Sequence, residues 1–156
     1  MRRTLCFIAM LALPWPASAE IGPRPGWQVI DSDRSFADLV AAVKDGTAAQ
    51  GMNVVTEAGP TAAAAVAGVT IPGNRVIGVF HVRYALRILP LSPAAMIEAP
   101  VRVYVTEDAD GTATLSWKEP TVVFAPYADE GVAELARVAQ ELDAVFSAIA
   151  AKATAD

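Results

Sequence analysis

The sequence predicts an α+β protein: a two-layer sandwich, with a mainly antiparallel sheet and helices packed on one of its faces. Residues 101–117 alternate between apolar and polar side chains on either side of a turn, which indicates a β-hairpin. Residues 36–43 and 135–149 each carry one apolar stripe at helical spacing. Two such helices must each bury a stripe, and packing both on one sheet is the simplest arrangement that does so.

The first part of the predicted domain contains a strand, a helix and a second strand. Trp27-Gln28-Val29-Ile30 begins the first strand. Ser35 is suited to cap the helix that follows, because its hydroxyl can accept a hydrogen bond from a free backbone N–H of the first turn. Gly46 weakens the last turn of this helix, and Gly51 ends it at the latest. Residues 52–56 then form the second strand.

The middle of the chain is expected to hold short elements around one buried strand. Residues 62–67 form an alanine-rich turn or short helix, whose small side chains would let it sit close against the sheet. Pro72-Gly73 fits the centre of a type II turn. Residues 75–80 are almost continuously apolar, which favours a central strand. A helix follows over 83–89, and Ser92 caps another short one.

The last part of the chain carries the hairpin and the longest helix. Asp108-Ala109-Asp110-Gly111 forms the hairpin turn. Residues 120–126 are expected to add a short edge segment of extended chain. The final helix begins near Asp129, and its inner face carries Leu135, Leu142, Phe146 and Ile149.

The N-terminus has the layout of a secretory signal peptide. Arg2 and Arg3 precede the apolar run Leu5–Leu13, and Ala17-Ser18-Ala19 is a small-x-small cleavage site before Glu20. The apolar run has about nine residues, half of the roughly 18–20 that span a bilayer. We therefore expect cleavage after Ala19, no transmembrane segment after cleavage, and a periplasmic or extracellular protein.

This expectation divides the chain into three parts. Residues 1–19 are the signal peptide, 20–34 are a leader with the first strand, and 35–152 are a single α+β domain. Loss of Arg2 and Arg3 leaves 10 basic and 17 acidic residues, a formal net charge of −7. Such a chain repels phosphate backbones, which excludes nucleic acid as an expected partner.

Cysteine usage excludes several kinds of chemistry. Cys6 is the only cysteine and leaves with the signal peptide. The mature chain then has no thiol for a disulfide, for nucleophilic catalysis or for a cysteine-ligated metal. One histidine without placed carboxylates does not specify a metal site either. We expect neither a metal nor a cofactor.

Short motifs, in their order and spacing, resemble the domain of unknown function 302 family over residues 36–149. They are Gly51-Met52-x-Val54, Val76-Ile77-Gly78-Val79-Phe80, Ala99-Pro100, Val101 to Glu107, Asp110-Gly111, Leu115-Ser116-Trp117 and Pro120. The resemblance implies helices on one side of an antiparallel sheet and frequent self-association, and it implies no catalytic or binding residues. One departure is Phe80-His81-Val82-Arg83, where family members commonly have an Asn-Pro pair.

The candidate site residues come from one basic stretch of an acidic chain. Between residues 58 and 106 the charged side chains are four arginines and one glutamate. Arg83 and Arg87 share a helix face, while Arg102 and Tyr104 share a strand face. If the two faces converge, their guanidinium groups would grip a carboxylate. If they do not, the arginines are solvated and paired with acidic helices.

Two further patterns permit a functional and a structural interpretation. His81 is either a structural or surface histidine or, less simply, a general base or haem ligand near Tyr84 or Met96. The oxygen-bearing side chains from Asp108 to Glu119 have calcium-loop spacing. Ala113 stands where that loop requires glycine, so a hairpin turn is the expectation.

These observations favour a non-enzymatic binding or interaction domain for a small anionic or apolar molecule. The candidate ligand-binding residues are His81, Arg83, Arg87, Arg102 and Tyr104. An acid–base enzyme that uses His81 or Tyr104 with Arg102 is the alternative, and a structural partner in an envelope complex is a further one. Self-association is expected through a sheet edge, because unpaired strand edges are commonly covered by a partner.

Overall fold

A computed structural model describes residues 21–155, so the predicted signal peptide lies outside the described residues. Five strands and five α-helices follow one another, with short 3₁₀ helices at Ala94–Glu98 and Ala125–Tyr127. The elements are β1 (Trp27–Ser35), α1 (Phe36–Ala49), β2 (Asn53–Ala58), α2 (Thr61–Val66), β3 (Asn74–Phe80), α3 (Val82–Ile88), β4 (Val101–Glu107), β5 (Thr112–Lys118), α4 (Pro120–Phe124) and α5 (Ala128–Ala153). Within residues 21–155, no helix is both long and apolar enough to cross a membrane.

The five strands form one antiparallel sheet in the order β1-β5-β4-β3-β2. The predicted hairpin is confirmed as β4 and β5, with Val105 opposite Leu115. Both edge strands have an irregular register. Pairing of β1 with β5 shifts between Ser32 and Ser35, and pairing of β2 with β3 shifts between Val54 and Thr56.

The core lies between one face of the sheet and the helices α1 and α5. Alternate side chains of β3, β4 and β5 point into it, as the hairpin pattern predicts. The predicted inner face of the last helix is confirmed. The largest buried apolar side chains include Leu39, Val43, Ile77, Val103, Val105, Leu115, Leu135, Phe146 and Ile149. The α+β fold class is thereby confirmed.

Local signals account for the start of α1 and for its close approach to α5. The Ser35 hydroxyl accepts a hydrogen bond of 3.2 Å from the Asp38 backbone N–H and donates one of 2.7 Å to its carboxylate. Gly46 lies inside α1 and is buried. A Cβ atom at that position would stand 2.9 Å from the Ile149 carbonyl oxygen of α5. Gly46 therefore lets the two helices pack closely.

Two expectations for the middle of the chain are wrong. The helix α2 has no buried residue, so it does not pack close against the sheet, and its alanines offer too little apolar surface to hold it there. Pro72-Gly73 does not form a type II turn, because Gly73 lacks the positive φ that such a turn requires. Gly73 instead makes room for the Phe36 ring, which lies 2.5 Å from where its Cβ would be. Its N–H also donates to the Glu107 carboxylate at 2.6 Å.

The predicted edge segment over 120–126 is also wrong, because these residues form α4 and a 3₁₀ helix. Pro120 occupies the first turn of α4, where its ring suits helical φ and its missing N–H is not needed. The N–H groups of Val122 and Val123 donate to the Glu119 carbonyl at 2.9 and 3.0 Å. The helical turn buries Phe124, and this burial overrides the strand preference of the two valines.

Candidate functional site

The face of the sheet opposite α1 and α5, which we call the open face, carries the polar side chains of the hairpin. Arg102 and Tyr104 alternate along β4 with the buried Val101, Val103 and Val105, so they point away from the core. The sheet register then defines which side chains of the other strands lie beside them.

A groove of about 440 Å³ runs along the open face and also reaches the side chains of Val101 and Trp117, which belong to the core. We call it the open-face groove. Its volume lies within the range of small-molecule sites in proteins. Its walls on the sheet include Trp27, Asn74, Val76, Arg102, Tyr104 and Lys118. Glu98, from the end of a 3₁₀ helix, and Val123, from α4, also line it.

Two cations lie side by side in the open-face groove. The paired part of β4 and β5 ends with Val103 opposite Trp117, and continuing this antiparallel register by one residue brings Arg102 and Lys118 to the same end of the open face. Within residues 21–155, neither cation has a carboxylate oxygen within 4 Å.

The indole ring of Trp27 adds a flat apolar wall next to these cations. Trp27 pairs with Lys118, whose ammonium lies 5.7 Å from the ring centroid. The Arg24 guanidinium lies 5.2 Å from the same centroid. Cations at such distances from an indole make favourable cation–π contacts. Two cations therefore contact Trp27, and Arg102 lines the same groove, in an acidic protein.

The phenol of Tyr104 is held in place on the groove floor. The Asn74 side-chain amide donates a hydrogen bond to the Tyr104 hydroxyl. This leaves the phenol's own proton available to a ligand. Ser116 pairs with Tyr104 in the sheet, and its hydroxyl is fully buried with no hydrogen-bond partner within the described part of the chain. The buried Ser116 hydroxyl does not itself line the groove.

His81 lies outside the open-face groove. Its Nδ1 accepts a hydrogen bond of 3.0 Å from the Arg83 backbone N–H and so caps α3. The histidine also borders an apolar void of about 30 Å³, together with Tyr84 and Met96. That volume is about a tenth of the smallest typical small-molecule site, roughly 300 Å³, so the void does not hold a haem.

Arg83 and Arg87 are also outside the groove, and the structure does not bring them to Arg102. The Arg83 guanidinium lies 4.8 Å from the ring centroid of Tyr84. Arg87 bonds Glu134 at 2.9 Å and Glu141 at 2.5 and 3.0 Å. These bonds raise the pKa of Arg87 and lower the pKa of Glu141. Arg87 therefore joins α3 to α5.

A larger, acidic cleft of about 580 Å³ lies near the hairpin turn. Three of its carboxylates, those of Asp31, Asp108 and Asp110, accept hydrogen bonds from neighbouring hydroxyls. Thr112 donates to Asp110 at 2.6 Å, which helps to lower the pKa of Asp110, and Thr114 donates to Asp108 at 2.8 Å. No three acidic or histidine side chains in residues 21–155 are grouped to hold a metal ion. The expected hairpin turn is confirmed at Asp108–Gly111.

Two residues of the open-face groove, Arg102 and Tyr104, are among those predicted from the sequence, and the others are not. Lys118 can be predicted from the sequence. The predicted hairpin turn implies a strand register, and this register, continued past Val103 and Trp117, brings Lys118 beside Arg102. Trp27 and Glu98 come from distant parts of the chain and carry no local signal. Their position depends on how β1 and the chain after α3 close around the hairpin.

The fold and the groove define a class of protein: a two-layer α+β domain whose sheet leaves one face open around a cluster of cations. The chain belongs to the family described as Domain of unknown function DUF302, whose family model matches residues 28–149. It is similar to the crystal structure of an uncharacterized conserved DUF302 protein from Bacillus stearothermophilus. The TM-score is 0.71 at 15% identity, over 81% of this chain and 96% of the other. No curated protein matches the chain.

Proposed function

We propose that this protein is a non-enzymatic binding domain that takes a small anion with an apolar body into the open-face groove. The observation that carries the proposal is the pair Arg102 and Lys118. Both line the open-face groove, and within residues 21–155 no carboxylate oxygen lies within 4 Å of either. Like charges that share one side of a sheet repel each other. A bound anion relieves that repulsion.

The side chains around the two cations suit a carboxylate with a flat apolar body. The Arg102 guanidinium offers a planar pair of donors that matches a carboxylate, and the Lys118 ammonium adds a second positive charge. Trp27, Tyr104 and Val76 supply aromatic and apolar surface along the same groove. Contact with that surface contributes binding free energy in addition to the charge contact.

The experiment compares indole-3-propionate with its uncharged amide by isothermal titration calorimetry on the mature protein. We expect the acid to bind at least tenfold more tightly than the amide, because a hydrogen bond to a charged group is stronger than a neutral one. The double variant Arg102→Gln/Lys118→Gln should lose this preference. Arg83→Gln, which removes a cation outside the groove, should keep it.

Two results would contradict the proposal. One is equal affinity for the acid and the amide in the native protein. The other is an unchanged preference for the acid in a double variant that melts at the native temperature. Circular dichroism of each variant separates a lost site from a lost fold.

Export of the protein is part of this proposal. The signal-peptide layout of residues 1–19 supports a periplasmic or extracellular binding domain. The intact mass of protein from the periplasmic and culture fractions tests it, because cleavage after Ala19 leaves a chain that begins at Glu20. A full-length mass, or protein in the cytoplasm alone, would refute export. Self-association through a sheet edge stays a prediction, and light scattering on the purified protein measures it.

A further inference from the structure

The open-face groove contains a carboxylate as well as its cations. Glu98 is half-buried, and its Oε1 atom accepts a hydrogen bond of 2.9 Å from the Tyr127 hydroxyl. This bond raises the pKa of Tyr127, because it favours the protonated phenol that donates it. The bond holds one oxygen of Glu98 in position, and Glu98 itself lines the groove.

This carboxylate has no cation beside it. Among the residues that the structure describes, no lysine, arginine or histidine nitrogen lies within 4 Å of Glu98, although Arg102 lines the same groove. The groove therefore presents separated charges of opposite sign, with the apolar surface of Trp27 and Tyr104 in the same groove. A ligand with one negative charge alone would contact the cations and bring no positive charge to Glu98, whose carboxylate already accepts the bond from Tyr127.

We propose that the open-face groove selects a zwitterion, namely an α-amino acid with an aromatic side chain. Its carboxylate contacts Arg102 and Lys118, its ammonium group contacts Glu98, and its ring lies against Trp27 and Tyr104. The inference rests on the proposed function, since it takes the same groove and the same cations. It adds Glu98 as the residue that distinguishes an amino acid from a simple carboxylate.

Three ligands that share one indole ring test the inference. L-tryptophan has both charges, indole-3-propionate lacks the ammonium group, and tryptamine lacks the carboxylate. We expect calorimetry on the mature protein to show that L-tryptophan binds about tenfold more tightly than either of the others. Glu98→Gln should reduce tryptophan affinity to that of indole-3-propionate. Asp129→Asn, an acid-to-amide change at an exposed position outside the groove, should leave the order of affinities unchanged.

The outcomes separate the two proposals. If indole-3-propionate binds as tightly as L-tryptophan or more tightly, the zwitterion inference is overturned, and anion binding in the groove stands. If none of the three ligands binds at millimolar concentration, both proposals fail for aromatic ligands of this size. The ligand comparison is made on the native protein, so it remains decisive even if Glu98→Gln lowers the melting temperature.

Discussion

Replacing Gly46 with alanine sets two opposing effects against each other inside one helix. Alanine is favoured over glycine in a helix interior by about 0.8–1.0 kcal/mol, so sequence alone predicts that Gly46→Ala stabilises α1. The added Cβ would stand 2.9 Å from the Ile149 carbonyl oxygen and 3.5 Å from its Cγ2 atom. Since that oxygen belongs to the backbone of α5, a whole helix must shift to make room. Overpacking of this kind costs about 1–3 kcal/mol.

The structure therefore predicts a net loss of about 1 kcal/mol from Gly46→Ala, which corresponds to a fall of roughly 3–5 °C in melting temperature. Urea unfolding followed by circular dichroism measures the change. Ala41→Gly, at an exposed position of α1, is the matched control and should lose about 1 kcal/mol from helix propensity alone. A Gly46→Ala variant that is more stable than the native protein would refute the close contact between α1 and α5.

Three further changes test other parts of the fold. Ser116→Ala should leave the free energy of unfolding unchanged or raise it by about 1 kcal/mol, because it removes a buried hydroxyl without a partner among residues 21–155. A clear fall in the free energy of unfolding, measured with urea, would contradict this. Arg87→Gln should lower the melting temperature at pH 7 more than at pH 3. The bond to Arg87 lowers the pKa of Glu141 in the folded protein. The stabilisation from this bond is therefore present above about pH 4.3, the usual pKa of a glutamate, and it is lost as the pH falls through the lowered pKa of Glu141. Leu86→Gln should change the free energy of unfolding by only a few tenths of a kcal/mol, since Leu86 is 66% exposed. Phe146→Ala should lower it by about 3–5 kcal/mol, because Phe146 is buried in the core. Similar melting temperatures for these two variants would contradict the core described here.

The parts of the fold that could be predicted are those with a local signal. The hairpin is visible in the alternation of residues 101–117, and the start of α1 in the side chain of Ser35. The edge segment over 120–126 was predicted wrongly because Val122 and Val123 favour a strand in isolation. The burial of Phe124 and the proline in the first turn favour a helix instead.

The candidate site was half predictable for the same reason. Arg102 and Tyr104 are two residues apart in a predicted strand, so the sequence alone predicts that they share a strand face. Arg83 and Arg87 share the basic stretch with them, but α3 turns Arg87 toward the acids of α5. Which charges are paired depends on contacts between helices distant in sequence, and no local pattern records those contacts.

The irregular register at both sides of the sheet has a consequence for how the protein behaves at high concentration. A regular β1 could join a regular β2 of another molecule, and repeated joining would build an open-ended fibre. The shifts between Ser32 and Ser35 and between Val54 and Thr56 interrupt the row of backbone donors and acceptors on each side. We expect these shifts to disfavour linear polymerisation through both edges, so that the predicted self-association through a sheet edge would stop at a closed dimer.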